Sequence, residues 1–356
     1  MIKKTKFYSK RIGNLTKGCK YCIKGEKLVY FVTGICPRRC YYCPISDKKY
    51  GKDNVYANER PVANINQVIE EAKLCDAKGA GFTGGDPLCK LFRTTFSIRQ
   101  LKKKFGKKFH IHLYTSFDLV NETDLAKLYR AGLDEIRFHA DINNNKLWSR
   151  IELARKFDWY VGVEIPVIPG KLKEIKKLID YFHDKIDFLN LNELEIADNR
   201  MSKLAKLGFL TKSRISYAVK GSEETALKLM KYIEKKKYKL NVHYCTAKLK
   251  DKVQLGERIK RRARNIKKKY DIVDEEGLLI RGAIYGRDLI KIRKGLMKEF
   301  DIPSDLIEVD KDKKRLLTGA WIVDELKKEL KKKNLKIVVI KEYPTYDRLE
   351  VESDFL

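Results

Sequence analysis

The sequence predicts an α/β chain: a partial (β/α)6 barrel followed by a small α+β module of ferredoxin-like order. Three observations carry that prediction. Strand and helix signals alternate from Leu28 to Glu195. Four consecutive strands in that stretch each carry one polar face. Beyond residue 278 the order changes to β-α-β-β-α-β, the order of a ferredoxin-like module. The expected divisions are 1–27, 28–250 and 251–356.

Strands are expected at 28–33, 80–84, 109–115, 134–140, 160–168 and 187–194. Helical stripes separate them, as in Ile65, Val68, Ile69 and Ala72, then Leu125, Leu128 and Tyr129, then Leu172, Ile175, Leu178, Ile179 and Phe182. Six parallel βαβ units fit either an open doubly wound sheet or a partial barrel. The faces of the strands favour the barrel. Buried parallel strands are normally apolar on both faces. Here His110, His112 and Tyr114 stand opposite Ile111 and Leu113, and Arg137 and His139 opposite Ile136 and Phe138. Glu164 likewise opposes Val163 and Ile165, and Asn190 and Asn192 oppose Leu189 and Leu191. A shared polar interior that holds a ligand explains all four. After Glu195 come a helix near 222–237, the segment YKLNVHYC and the basic run RIKRRARNIKKK at 258–269. Strands at 278–285, 305–309, 314–317 and 335–343, helices at 286–299 and 319–333, and a final strand at 347–353 complete the module.

A chain of 356 residues, 43% hydrophobic, can bury a large core. It contains no apolar run long enough to span a bilayer, and MIKKTKFYSK lacks the apolar stretch of a signal peptide, so a cytoplasmic protein with no membrane partner is expected. Eight cysteines bunched in short spacings point to metal rather than disulfides. The net charge of +30 reads either as attraction to a polyanion or as a lysine-rich composition of the thermophile kind.

The chemistry concentrates in GICPRRCYYCP, directly after the first strand, where Cys36, Cys40 and Cys43 follow a C-x3-C-x2-C spacing. Three thiolates can hold three irons of a cubane and leave the fourth open to a ligand with an amine and a carboxylate. Zinc knuckles are the alternative, but they use four ligands in paired spacings. The turn Gly84-Gly85-Asp86-Pro87 follows the second strand, at the carboxyl end where α/β folds bind ligands.

These residues resemble the radical S-adenosylmethionine (SAM) superfamily. CPRRCYYC matches its C-x3-C-x-aromatic-C motif, and TGGDP matches its Gly-Gly-Glu motif with Asp86 in the acidic position. The whole chain is more narrowly similar to an uncharacterised archaeal family related to pyruvate formate-lyase activating enzymes, through Cys19-x-x-Cys22 and the segments GLDEIRFH and NLNELE. The resemblance implies a [4Fe–4S] cluster on Cys36, Cys40 and Cys43 whose open iron binds SAM. It also implies Tyr42 near the adenine, and Gly84 and Gly85 meeting the methionine amino group through backbone. Reductive cleavage would then give methionine and a 5′-deoxyadenosyl radical, with an electron donor such as ferredoxin or flavodoxin as partner.

Residue reading adds further candidates. Glu164, Arg137 and His139 are expected near the carboxyl ends of their strands, facing SAM or substrate, with a satisfied polar core as the alternative. Cys19 and Cys22 sit on a glycine-flanked knuckle and are expected to pair with Cys245, and with His243 beside it, as a second metal site for zinc or an auxiliary iron–sulfur cluster. Their alternative is a set of structural thiols. Cys75 falls on an apolar stripe and reads as core packing. The basic run reads as a phosphate-binding helix or a solvated face, without the aromatics that base stacking needs. Three enzymatic classes follow. They are modification of RNA such as tRNA, placed first; hydrogen abstraction from a partner protein; and chemistry on a small molecule in the lumen. A non-catalytic metal-binding module ranks last, because it has no use for the glycine turn.

Overall fold

In the computed structural model, which describes all 356 residues, each of the six strands read from the barrel forms to within one residue of its expected bounds. Strands β1 (Lys3–Lys4) and β2 (Lys10–Ile12) precede helix α1 (Lys17–Ile23), and β3 (Lys27–Thr33) follows. A short hairpin, β4 (Tyr56–Ala57) and β5 (Arg60–Pro61), leads to α2 (Ile65–Leu74) and β6 (Gly79–Gly84). Helices and strands then alternate: α3 (Leu91–Phe105), β7 (His110–Ser116), α4 (Glu122–Ala131), β8 (Glu135–His139), α5 (Ile151–Ala154), β9 (Tyr160–Val167), α6 (Leu172–Phe182) and β10 (Phe188–Glu193). Helix α7 (Ser222–Lys235) and β11 (Asn241–Cys245) complete the series.

Local chemistry explains the elements. Asn121 caps α4 by accepting from the Asp124 amide, and Gly132 in left-handed conformation ends it. Along α6 the stripe Ile175, Leu178, Ile179 and Phe182 is buried, as its spacing requires. The sheet runs β1-β2-β11-β10-β9-β8-β7-β6-β3-β4-β5, with neighbours parallel from β3 to β11. These seven parallel strands follow one another in chain order. No switch point of a doubly wound sheet occurs, which decides for the open barrel.

Two expectations change. Strand β11, expected as a strand in NVHYC but not as part of the six-stranded barrel, is its seventh parallel strand, with Asn190 beside His243 and Asn192 beside Cys245. Residues 1–27 are not a separate knuckle either. Strand β2 pairs antiparallel with β11, and residues 1–73 with 77–255 form one unit. Its apolar core contains Leu28, Ile111, Ile136, Val163 and Leu191, all fully buried. Cys19 and Cys22 lie on a helical turn, because Thr16 accepts from the Cys19 amide at 3.1 Å and caps α1.

The second unit, residues 74–76 with 256–356, begins at Gly256 rather than at residue 251. It contains α8 (Gly256–Ile266), β12 (Ile272–Val273), β13 (Leu279–Tyr285), α9 (Leu289–Glu299), β14 (Ile307–Asp310), β15 (Arg315–Thr318), α10 (Ala320–Glu325), α11 (Lys327–Lys332), β16 (Lys336–Glu342) and β17 (Glu350–Phe355). The order β14-β15-β13-β16-β17 is antiparallel throughout, with β12 on β13. Its first four members reproduce the ferredoxin-like split βαβ arrangement, and β17 extends the edge. Fully buried Arg315 is neutralised by Asp310, Glu342 and Glu350. No helix of the chain is long and apolar enough to cross a membrane.

Candidate functional site

Beyond the carboxyl end of β3 the chain makes a loop that closes on itself. The Gly34 amide donates to the Lys52 carbonyl at 2.8 Å, and the Gly51 amide to the Gly34 carbonyl at 2.9 Å. Cys36, Cys40 and Cys43 lie on this loop as free, half-buried thiols. The Arg38 amide points at Cys36 Sγ (3.4 Å), and the Ile45 amide favours the ionised form of Cys43. Burial pushes the Cys36 thiol up to about 12 and also raises Cys40, where Arg38 pulls the other way. Such thiols stay protonated alone and ionise on meeting iron, since a coordinating thiol is deprotonated outright.

No three of the chain's His, Cys, Asp or Glu side chains converge as ligands of one metal ion. A cubane makes a different demand: each thiolate takes its own iron, so the sulfurs stand apart. Three free thiols spread along one loop, with amides turned toward two of them, fit that demand.

The glycine turn packs directly beneath the loop. The amides of Gly85 and Asp86 donate to the carbonyls of Thr33 (2.7 Å) and Ile35 (2.8 Å). Gly84 has φ +137°, and a Cβ on Gly85 would strike the Ile35 carbonyl. Both positions need glycine, to let β6 approach the root of the loop. With these amides committed, what the turn can offer an ammonium group is carbonyl oxygen.

Asp86 does not face outward. Its carboxylate is almost fully buried and accepts from Leu88 N (3.0 Å), Thr115 Oγ1 (2.8 Å), Ser116 N (3.0 Å) and Ser116 Oγ (2.9 Å). It staples the glycine turn to the end of β7 and acts as a positioning residue. Asp86→Ala should therefore lower stability by about 2–4 kcal/mol, a lost cap plus bonds to a charged group. Urea unfolding checks this. Unchanged stability with weakened SAM binding would show a direct contact instead.

Inside the barrel the polar faces meet in one network. Arg137 Nη1 binds Glu164 Oε2 at 2.8 Å and Tyr114 Oη at 3.0 Å, while Nε binds Glu135 Oε1 at 2.6 Å. Asn190 and Asn192 donate to the two Glu164 oxygens at 2.7 and 2.9 Å. Burial would raise the Glu164 carboxyl, but Arg137 and the two amides hold it below its ordinary value. Burial likewise opposes the Arg137 charge, which Glu135 and Tyr114 preserve. Neither residue sits at the carboxyl end of its strand. Arg137 and Glu164 are mid-strand, with their polar atoms engaged by protein partners, and form the floor of the lumen.

His139 is different. It ends β8, and Tyr42 of the cysteine loop reaches it, Oη to Nε2 at 3.0 Å. Its Nδ1 lies 3.2 Å from the Glu164 carbonyl. A carbonyl only accepts, so Nδ1 carries the proton and Nε2 accepts from Tyr42. Burial, reinforced by Arg38, lowers His139 to about 4, which keeps the ring neutral. Arg38, absent from the expected set, fastens the same junction through the His139 carbonyl (2.9 Å) and Asp141 (2.8 Å).

The expected second metal site does not assemble as a single-ion site. Cys19 Sγ instead faces Asn190 Nδ2 (3.5 Å) and Arg137 Nη2 (3.6 Å), because α1 caps the lumen floor with its Gly18 amide on Glu135 (3.3 Å). A guanidinium beside the sulfur repels a cation. Burial pushes Cys22 and Cys245 up to about 12, as it does Cys36, so protonation does not separate the two sets; the guanidinium beside Cys19 does. Cys75 is buried, as core packing requires.

His243 is 4% exposed, and neither ring nitrogen has a hydrogen-bond partner. Burial lowers it to about 4, with Glu164 opposing and Arg137 assisting. The folded ring thus binds its proton later than the unfolded one, whose ordinary value is 6.5. Stability should fall as pH drops from about 6.5 to about 4, by about 3 kcal/mol at roughly 1.4 kcal/mol per unit. His243→Gln should make this acid slope shallower in denaturation curves. Parallel slopes in the two proteins would contradict it.

The basic run forms α8 and the residues after it, but it is no bare cationic face. Arg262 is buried and its Nε donates to the Pro344 carbonyl. Lys268 pairs with Glu308 (3.3 Å) and Lys269 with Asp305 (2.6 Å). The second unit uses much of this charge internally.

Comparison with known proteins follows the same division. The radical SAM superfamily model matches residues 30–190, and a domain of unknown function, DUF8061, matches residues 277–354. A Methanocaldococcus jannaschii protein, provisionally named as a glycyl-radical enzyme activating enzyme, is 40% identical over 362 residues, covering 98% of this chain and 94% of its own. Among solved structures, the radical SAM methyltransferase TsrM of Kitasatospora setae is 12% identical with a TM-score of 0.36, over 51% of this chain and 38% of its own. Methylornithine synthase (PylB) is 14% identical with a TM-score of 0.41, over 61% of this chain and 70% of its own.

Proposed function

The chain belongs to the radical SAM superfamily, and on that footing we propose that it activates a partner protein by removing a hydrogen atom from a glycine. The observation that carries this reading is the likeness along nearly the whole chain to a relative named for that activity. Cys36, Cys40 and Cys43 would hold the [4Fe–4S] cluster, and the glycine turn with Tyr42 would border SAM. Bound there, the two cofactors supply a one-electron reductive cleavage that gives methionine and a 5′-deoxyadenosyl radical.

The chain's own residues position and shield. Asp86 and Arg38 fix the turn and the loop against β7 and β8. His139, neutral and bonded to Tyr42, borders the reacting space without offering a cationic proton. The Arg137–Glu164 floor is saturated and leaves a small polar substrate little to bind, which weighs against a small-molecule reaction. RNA modification, placed first on the net charge, the basic helix and the C-terminal module, loses support at the helix, where Arg262, Lys268 and Lys269 are engaged in their own unit. The partners of this reading are a protein substrate and an electron donor such as ferredoxin or flavodoxin.

The test is deuterium transfer. The anaerobic enzyme with SAM and dithionite is given soluble protein, or in parallel RNA, from cells grown on Cα-deuterated glycine or unlabelled medium. The reading expects deuterium in 5′-deoxyadenosine with labelled protein alone, together with an organic-radical resonance on that protein. Product formed equally with RNA, and without label, would reject it.

A further inference from the structure

Between β10 and α7 runs a strap, residues 196–220, that the proposed reaction leaves without a task. Its only strand-like pairing within itself is Thr211 against Val219. It is fastened to the cysteine loop. Asn199 Nδ2 donates to the carbonyls of Cys43 and Ile45, each at 3.0 Å, and the Lys203 amide donates to the Tyr41 carbonyl at 2.7 Å. Met201 joins Cys36, Arg39 and Tyr50 around a cavity of about 270 Å³.

The strap carries exposed apolar and cationic side chains together. Leu207, Leu210, Ile215 and Tyr217 are 60%, 67%, 97% and 65% exposed. Residues 196–220 carry six Lys or Arg against one Asp. Exposed Lys203, Lys206, Arg214 and Lys220 make no ion pair. Large apolar side chains left in water mark a protein interface, and unpaired cations around them select an acidic partner.

We propose that this strap is the docking surface for an acidic one-electron donor protein. The proposal rests on the radical SAM reading, in which an electron must reach the cluster from outside. The strap bonds to the carbonyl of Cys43 through Asn199 and lines the cavity at Cys36 through Met201, so the root of the strap stands beside the cysteine loop. A substrate protein must instead present its glycine to the lumen, and a nucleic acid has no use for Leu210 and Ile215. At each encounter the donor's reduced flavin loses one electron and the cluster gains it, with no bond made or broken.

The test uses the full chain and a purified acidic flavodoxin with its NADPH reductase. Leu210→Asp combined with Ile215→Asp alters only exposed positions. It should weaken flavodoxin binding, measured by titration with the oxidised protein, by about tenfold or more, on the scale of one or two interface anchors. Flavodoxin-driven 5′-deoxyadenosine formation should fall in step, while the dithionite-driven rate stays at the wild-type value. Added salt should weaken wild-type binding. Equal flavodoxin binding by variant and wild type, or a wild type that dithionite drives and flavodoxin does not, would overturn the proposal. So would equal loss with both reductants, which would place the strap in substrate docking or folding. A wild type silent with dithionite would instead sink the radical SAM reading itself, and this proposal with it.

Discussion

Alanine at Cys36, Cys40 or Cys43 should each take anaerobically reconstituted protein from about four irons per chain to fewer than one, and SAM cleavage to the protein-free background. The effect is expected to be this complete because the three thiols share one task. A cubane with only two protein ligands is left with two irons unanchored. The fold should survive, since the cysteines lie half-buried on a loop and belong to no apolar core. Unchanged melting curves beside lost iron would establish that separation. Cys75→Ala serves as the contrast: a buried core cysteine whose loss should cost stability and leave iron in place. Any of the three loop variants retaining full iron and cleavage would remove that residue from the ligand set.

The second large effect is energetic. Arg137→Met should destabilise the barrel unit by about 3–5 kcal/mol, because it strands two carboxylates in a site they cannot leave. The Glu135 side chain is fully buried and that of Glu164 12% exposed, and this one guanidinium pairs with both charges. Adding Glu164→Gln to Arg137→Met should recover part of the loss. Removing an unpaired charge helps only after its partner has gone, so the double-mutant cycle should show coupling of about 1–3 kcal/mol. Amide hydrogen exchange in β8 and β9 under increasing urea follows this unit separately from the second. Additive costs would contradict the network.

Much of this was legible in the sequence, and what was not has physical reasons. The alternation of Arg137 and His139 with Ile136 and Phe138 signals a polar lumen because side chains in a strand alternate faces. The three loop cysteines and the glycine turn are local patterns, readable without a fold. Asp86 was readable as an acidic residue in a turn, but its partners Thr115 and Ser116 lie 29 and 30 residues away, so its inward aim is a property of the folded sheet. Larger separations hid the partners of the basic run, since Asp305 lies 36 residues from Lys269 and Pro344 82 from Arg262. Strand β11 is short, and its His243 and Cys245 look like partners of Cys19 in a metal site until the folded sheet places Asn190 and Arg137 against the Cys19 sulfur. The α1 turn carries a local signal of its own. Thr16 three residues before Cys19 is a helix cap, so the cysteine pair begins a helix rather than a knuckle. The strap at 196–220 has no periodicity to read, and only its bonds to the cysteine loop give it a place.

Electron paramagnetic resonance of the dithionite-reduced, iron-loaded protein, recorded with and without SAM, asks most directly whether one iron stands open. Binding of SAM to that iron should change the cluster spectrum, and warming the sample should release 5′-deoxyadenosine. A fully loaded cluster whose spectrum SAM leaves untouched, with no nucleoside released, would mean that its irons are already closed.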